Sequence, residues 1–353
     1  MKQSKQASQL SVAIVGAGFT GLNAGRTLMD QGIKVRLFDK SRGAGGRMAS
    51  RRTDTAIFDH GAQYFTVRDA RFQPYVEAWN EAGLVQPWEG KLGTIEAGAI
   101  NEGKIKPSST RIKRYVGTPR MSALTRHLST GLDIQFKTRI QCMERVDNQW
   151  RLTDTEGTDL GTYDVVLITT PPSQAVPLLT EAPELAGQIE NVSMSPTWAV
   201  MVAFAHRLNI AYDGLFFNDA PLSWAARNSS KPERGAQESW VLHGSAGWSA
   251  EHLEAGKEDI ADQLLAHFFE RTQLEAISPT HLQAHRWRFA LANAPLNAGC
   301  LWDEELRVGV CGDWCMQSRV EGAFLSGMAG AGRVLSLAGE SASQPIGLQA
   351  SLF

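Results

Sequence analysis

The most constraining stretch lies between Ser11 and Asp39. Ser11 to Val15 is a short β-branched run of the kind that forms a buried parallel strand. A glycine turn follows, Gly16-Ala17-Gly18-Phe19-Thr20-Gly21, and then a helical pattern to about Gln31 with Leu22, Leu28 and Met29 on one face. Gly32 is placed to end that helix, and Ile33 to Asp39 reads as a second strand. This is a βαβ unit with a phosphate-binding turn. Gly16 permits the tight turn. Gly18 lets backbone N–H groups approach a pyrophosphate at the helix N-terminus, beside Phe19 and Thr20. Gly21 allows close helix–strand packing. Asp39 stands 18 residues beyond Gly21, where a carboxylate meets ribose hydroxyls, and Lys40 follows it. The chain is therefore expected to bind a dinucleotide in an α/β domain.

Composition closes off other classes. The chain has 353 residues, enough for about two domains. Its 35 Lys and Arg against 37 Asp and Glu leave a net charge of −2, so a general nucleic-acid binder is not expected. The polar N-terminus has no apolar core of a signal peptide, and no apolar run approaches the roughly 20 residues of a membrane helix. Four Cys in this length are not a disulfide framework, and Cys311-x-x-x-Cys315 has no partner in metal-ligand spacing. A cytoplasmic protein with reduced thiols, no metal and no membrane partner is expected.

Further elements follow from pattern. Helices are predicted over about 72–83, from Ser122 to Leu128, from Ile260 to Phe269 and from Gly322 to Leu335. Strands are predicted at Ile134–Val146, Gln149–Thr155, Tyr163–Thr169, Trp198–Phe204 and Arg307–Cys311. The nucleotide-binding pieces thus lie at the start, middle and end of the chain. The expected division is one domain from 1–70, 119–176 and 305–340, a second from 71–118 and 177–304, and a tail at 341–353.

A second glycine turn, Ser41-Arg42-Gly43-Ala44-Gly45-Gly46-Arg47-Met48, directly follows Asp39. It suits a long dinucleotide whose phosphates continue along the chain, with Arg47 offering charge to the pyrophosphate. Together with Phe58-Asp59-His60-Gly61-Ala62-Gln63-Tyr64-Phe65, Val310-Cys311-Gly312-Asp313 and Val320-Glu321-Gly322-Ala323-Phe324, this stretch resembles the flavin-containing amine oxidase superfamily. The resemblance implies a two-domain flavoprotein of the p-hydroxybenzoate-hydroxylase type. An FAD-binding Rossmann-like domain would carry a second, α+β substrate domain. FAD would be bound non-covalently, and Cys315 is not expected to attach it. Asp313 would take a ribityl hydroxyl. The helix starting near Gly322 would aim its N-terminal dipole at the flavin. Gly46, Met48, Gly61, Ala62, Gln63, Ile140, Thr170, Thr197, Gly312, Val320 and Ala323 join the expected cofactor contacts.

Within that superfamily the chain is most similar to the renalases, the bacterial ones in particular. The likeness is carried by Phe38 to Arg42, Gly61 to Thr66 with Arg68, and Pro196 to Val200. It continues in Ala226-Arg227-Asn228-x-Ser230-Lys231-Pro232, His285-Arg286-Trp287 and Cys311 to Cys315. It implies oxidation of dihydro-NAD(P) isomers bearing the hydride on nicotinamide C2 or C6, with O2 as acceptor, giving NAD(P)+ and hydrogen peroxide. Such a donor regains aromaticity on losing hydride, so no base is required and no catalytic side chain is expected. Substrate contacts are expected from Tyr64, Phe65, Thr66, Val67, Arg68, Ser108, Trp198, Arg227, Asn228, His243, Trp287 and Arg319. Core packing is an equal reading for Trp198 and Trp287, as is a surface or ion-paired role for Arg227, and a structural histidine is the favoured reading for His243. Two rivals stand: an oxidase of a small amine, and a flavin-bearing binding or sensing protein with little turnover.

Overall fold

The computed structural model describes residues 10–96, 106–107, 112–219 and 221–339. Ser108 and the 341–353 tail, both named above, lie outside them. The chain divides into two units of three and two segments. The first unit holds residues 1–46, 125–193 and 294–353; the second holds 47–124 and 194–293.

The first unit is built on a six-stranded sheet. Its order is Cys300–Asp303, Val308–Cys311, Val165–Ile168, Ser11–Val15, Lys34–Asp39, Asp133–Phe136. Only the edge strand Cys300–Asp303 runs antiparallel to its neighbour. Val12, Ala13, Ile14 and the whole Val165–Ile168 strand are fully buried, as a strand covered on both faces must be. The first helix, Phe19–Asp30, packs its Leu22 and Leu28 inward. The last helix, Val320–Leu337, lies against it so closely that a Cβ at Gly327 would stand 2.5 Å from the Thr20 carbonyl. The alternating run predicted as one strand over 134–146 is two. Asp133–Phe136 joins the large sheet, and Ile140–Val146 starts a three-stranded antiparallel sheet with Gln149–Asp154 and Asp159–Tyr163. Lys137, at φ 56°, turns the chain between them.

The second unit has a seven-stranded sheet ordered His281–Ala292, Met194–Ala203, Ser239–Gly244, Leu222–Arg227, Gly214–Phe217, Leu92–Ile95, Lys106–Pro107. The helix Lys257–Thr272 covers one face, and Trp198, Trp240, Phe204 and Phe268 form the core beneath it. On another part of the sheet, Phe58 and Ala56 pack with Met201, Ala203 and Val241.

That second cluster corrects the expected division. Residues 47–70 belong to the second unit because the Arg51–Arg52 and Ile57–Phe58 hairpin packs there. Residues 119–124 follow them, since the Met121 N–H is held by Asp59. Residues 294–304 belong to the first unit because Cys300–Asp303 pairs with Val308–Cys311. Residues 177–193 belong there as well. Among the described residues no helix is long and apolar enough to cross a membrane.

Candidate functional site

In the first unit the two glycine turns meet. The Gly45 N–H donates to the Ala17 carbonyl at 2.9 Å, and Gly18 and Gly45 pair as an isolated parallel bridge. The glycines have different jobs. Gly16 sits at φ 112°, and a Cβ there would lie 2.6 Å from Thr169 Oγ1. A Cβ at Gly21 would fall 2.0 Å from the Gly16 carbonyl oxygen, so Gly21 is fixed by packing. Gly18, at φ −73°, has open space where its Cβ would be. It precedes a helix with no side-chain cap and no acid in its first turn, an open positive end suited to a phosphate.

Asp39 ends its strand with both carboxylate oxygens anchored. Oδ2 accepts the Ala17 N–H at 2.6 Å and Oδ1 the Ser41 N–H at 2.7 Å. Each oxygen keeps a lone pair for a ribose hydroxyl. Lys40 is exposed and donates to Gln174 Oε1 at 3.1 Å. Among the described residues the buried Thr170 hydroxyl has no hydrogen-bond partner, which leaves it available to a ligand. Ile140 is core, 6% exposed.

The Gly312-Asp313 turn leads into the last helix. Gly312 donates to Ser326 Oγ at 2.8 Å, and buried Asp313 accepts from Ser318 Oγ at 3.2 Å. That helix also lacks a side-chain cap. A Cβ at Gly322 would come within 2.9 Å of the Gln317 nitrogen, so the loop lies tight on the helix start. Val320 and Ala323 stand on the same first turn. Arg319, immediately before it, lines a cavity of about 290 Å³ with Pro295, Asn297, Met316, Gln317 and Ser318.

The second unit gathers the remaining candidates differently from expectation. Arg47 donates to the Ala290 carbonyl at 2.9 Å, and Met48 is buried. Gly61 is explained locally, since a Cβ there would lie 2.0 Å from the Arg47 carbonyl oxygen, which also takes the Ala62 N–H. Four expected substrate contacts are structural. Arg227, 1% exposed, spends its guanidinium on Asp213, Glu238 and the carbonyls of Leu208, Ile210 and Tyr212. Asn228 is fully buried and ties Ile57 to Asp59. Trp198 sits in the core and donates to the His252 carbonyl at 3.0 Å. Phe65 is 3% exposed, pairs with Tyr115 through its backbone and stacks on it. Gln63 is also buried; its amide holds its own loop and accepts from Lys231 at 3.2 Å. Thr66 and Val67 are half-buried, and Arg68 is exposed.

His243 and Trp287 do come together, with His60 and His285, which the sequence offered as motif members and not as expected contacts. Trp287 stacks on His60 at 5.2 Å and donates to its carbonyl at 2.9 Å; His285 meets both rings edge-on. Thr197 is the cross-strand partner of Trp287. Burial first, and then the neighbouring His285 ring and Arg51, push His60 down to about 3; burial first, and then Arg51 and Lys257, push His285 to about 4. Burial likewise takes His243 to about 4. All three rings are neutral at pH 7, and among the described residues His60 Nδ1 and His243 Nε2 have no partner at full hydrogen-bond geometry, although the backbones of Phe58 and His60 lie close to the two rings.

Beside them lies a buried charge cluster. Asp59 Oδ2 takes Arg234 Nη2 at 2.7 Å, Arg234 Nε at 3.1 Å and Lys231 Nζ at 3.5 Å; Oδ1 takes Ser50 Oγ at 2.7 Å and the Met121 N–H at 3.0 Å. Burial pushes the Asp59 carboxyl up, but Lys231 and Arg234 outweigh it and hold it at about 2. Burial, with Arg234 adding to it, lowers Lys231 to about 8 against the pull of Asp59. The cluster carries one net positive charge at pH 7. Lys231 also faces the Trp88 ring at 5.7 Å, and Arg114 faces the Tyr64 ring at 5.2 Å. Tyr64, Trp88 and Trp224 form one aromatic set. No local spacing reveals this cluster, because Asp59 and Lys231 are 172 residues apart.

A dinucleotide-binding oxidoreductase is the class these features define. Residues 14–79 match an NAD(P)-binding Rossmann-like domain, and residues 98–335 match the flavin containing amine oxidoreductase family. The chain belongs to that family. A putative protoporphyrinogen oxidase from Exiguobacterium sp. 255-15 has a similar fold, with a TM-score of 0.73 at 14% identity over 92% of this chain and 99% of that one. A triple mutant of putrescine oxidase superposes with a TM-score of 0.68 at 12% identity over 93% of this chain and 99% of that one. Among curated relatives, a 4,4'-diapophytoene desaturase of Staphylococcus haemolyticus is 36% identical over 78 residues. That match spans 19% of this chain and 16% of the relative.

The family implies FAD, held non-covalently, and the first unit fits it. Gly18 and the first helix would take the pyrophosphate, Asp39 a ribose, Asp313 the ribityl chain and the Thr170 hydroxyl a remaining polar edge. Non-covalent binding agrees with the thiols present, because Cys311 and Cys315 are buried and held protonated.

Proposed function

We propose that the chain is an FAD-dependent oxidase of dihydro-NAD(P) isomers carrying the hydride at nicotinamide C2 or C6, with O2 as final acceptor and NAD(P)+ and hydrogen peroxide as products. The observation that carries this reading is the charge of the second unit's buried groups. An amine substrate enters as a cation and calls for a carboxylate or an open aromatic face. Asp59 is consumed by two cations, and the Tyr64 and Trp88 faces already have Arg114 and Lys231 over them. The three neutral histidines and Trp287 suit an uncharged dihydronicotinamide ring, which Trp287 can stack on. The net positive cluster favours an anionic dinucleotide over an ammonium.

Bound FAD supplies the two-electron acceptor. The chain's own residues bind and orient. Within the second unit, His60 and His243 would offer hydrogen-bonding positions to a carboxamide. No proton needs to be removed from the donor carbon, which agrees with histidines too weakly basic to be protonated at neutral pH.

The test is anaerobic mixing of the flavin-loaded protein with three donors: the isomer mixture from chemical reduction of NAD+, ordinary NADH, and a panel of primary and secondary amines. Rapid flavin bleaching by the isomers alone is the expected result. Bleaching by an amine would move the chain to the amine oxidases proper, and no bleaching by any donor would favour a binding role.

A further inference from the structure

All four cysteines lie in the first unit, and the reaction proposed above uses none of them. Cys300 and Cys311 are register partners on the antiparallel strands Cys300–Asp303 and Val308–Cys311. Their sulfurs are 3.3 Å apart, with the Cys311 thiol donating to Cys300. Closing by roughly 1.3 Å would reach a disulfide's bond length of about 2.0 Å. The two differ in access. Cys311 is fully buried, and a Cβ at Gly330 would lie 2.5 Å from its sulfur. Cys300 is half-buried on the edge strand of the sheet. The pair is also braced from one side chain. Ser326 on the last helix donates to the carbonyl of Gly299, just before Cys300, at 2.5 Å, and accepts from the N–H of Gly312, just after Cys311, at 2.8 Å. Cys315 sits nearby but directs its thiol at the Val310 carbonyl, 3.7 Å away.

We propose that Cys300 and Cys311 are a peroxide-oxidisable dithiol, with Cys300 as the attacking sulfur and Cys311 as the resolving one. The Cys300 sulfur takes one oxygen of hydrogen peroxide as the O–O bond breaks, giving a sulfenic acid and one water. The Cys311 sulfur then displaces the hydroxyl, which leaves as a second water with the Cys311 proton, and the S–S bond forms. Two thiols lose two electrons and the peroxide gains them. The hydrogen bond from Cys311 and its burial keep that thiol protonated until the sulfenic acid is present, which sets the order of the two steps. Because the partner is already in contact, the sulfenic acid is captured before a second oxidation.

The proposal does not depend on which donor the flavin oxidises, since added peroxide tests it directly. The purified FAD-loaded protein is reduced with dithiothreitol, desalted and treated with hydrogen peroxide. It is then alkylated in denaturant and mapped by mass spectrometry. The expected product is a Cys300–Cys311 cross-linked peptide with Cys142 and Cys315 alkylated, reversed by dithiothreitol. Cys300→Ser should abolish the cross-link and Cys142→Ser should preserve it. Alkylation of all four thiols, a sulfinic acid at Cys300 without cross-link, or a bond to Cys315 would each overturn the proposal. The edge-strand Cys300 variant and the unmutated peptide map decide the matter even if a Cys311 variant does not fold.

Discussion

Replacing Asp59 by Asn removes the only anion from a buried group of three charges while nearly preserving its shape. Holding the carboxyl at about 2 rather than its usual 3.8 corresponds to about 2 kcal/mol of stability. Removing it also strands two cations with no exposed surface. Breaking a buried pair from one side costs roughly 3–5 kcal/mol, which is the expected loss at pH 7. For a unit of this size that is a melting shift of roughly 6–20 °C. The opposite change should be much milder. Lys231→Met leaves Asp59 paired with Arg234 through two hydrogen bonds, so about 1 kcal/mol or less is expected. The deficit of Asp59→Asn should also depend on pH. Lys231 has a folded value of about 8, below its unfolded 10.5, so its burial penalty is full below 8 and is relieved as pH rises towards 10.5. Without Asp59 the folded value drops further, relief begins at lower pH, and the deficit narrows by roughly 1 kcal/mol between pH 7 and 9. Urea melts followed by Trp fluorescence can read this, because seven of the ten Trp lie in the second unit. A loss under about 1 kcal/mol for Asp59→Asn, or a larger loss for Lys231→Met, would refute the reasoning.

Four further outcomes are expected. Gly18→Ala should leave the melting of the cofactor-free protein unchanged and weaken FAD retention, whereas Gly21→Ala, with its 2.0 Å clash, should destabilise the fold itself; thermal melts with and without FAD separate the two. Asp39→Ala should lose flavin on purification, and a full flavin complement would remove its ribose role. Arg319→Ala should raise the substrate constant with little loss of bound FAD, while loss of flavin would assign it to the cofactor. His60, His243 and His285 fold with values of about 3, 4 and 4 against an ordinary 6.5, so their stabilising contribution is present above 6.5 and is lost as pH falls below it. Melting temperature should therefore fall from about pH 6.5 downward, and a flat profile to pH 5 would contradict neutral buried histidines.

What the sequence determined by itself is the part carried by local spacing. The two glycine turns and the Asp39 strand end were legible because a phosphate-binding turn and a helix start are made by residues adjacent in the chain, and the Gly312-Asp313 turn was marked by the family resemblance. The helices at 73–81, 122–129, 257–272 and 320–337 were legible for the same reason. What only the tertiary structure decided is which polar groups are already spent. Arg227 and Asn228 look like ligand residues in a motif, yet long-range partners claim them, at Glu238 and Asp213 for one and Ile57 and Asp59 for the other. Distance in sequence hid the pairing of Asp59 with Lys231 and Arg234 and the meeting of His60 with Trp287, while the facing sulfurs of Cys300 and Cys311, 11 residues apart, were decided by strand register. Their joining depends on strand order and register, which pair residues across the sheet and leave no periodicity in the chain to announce them.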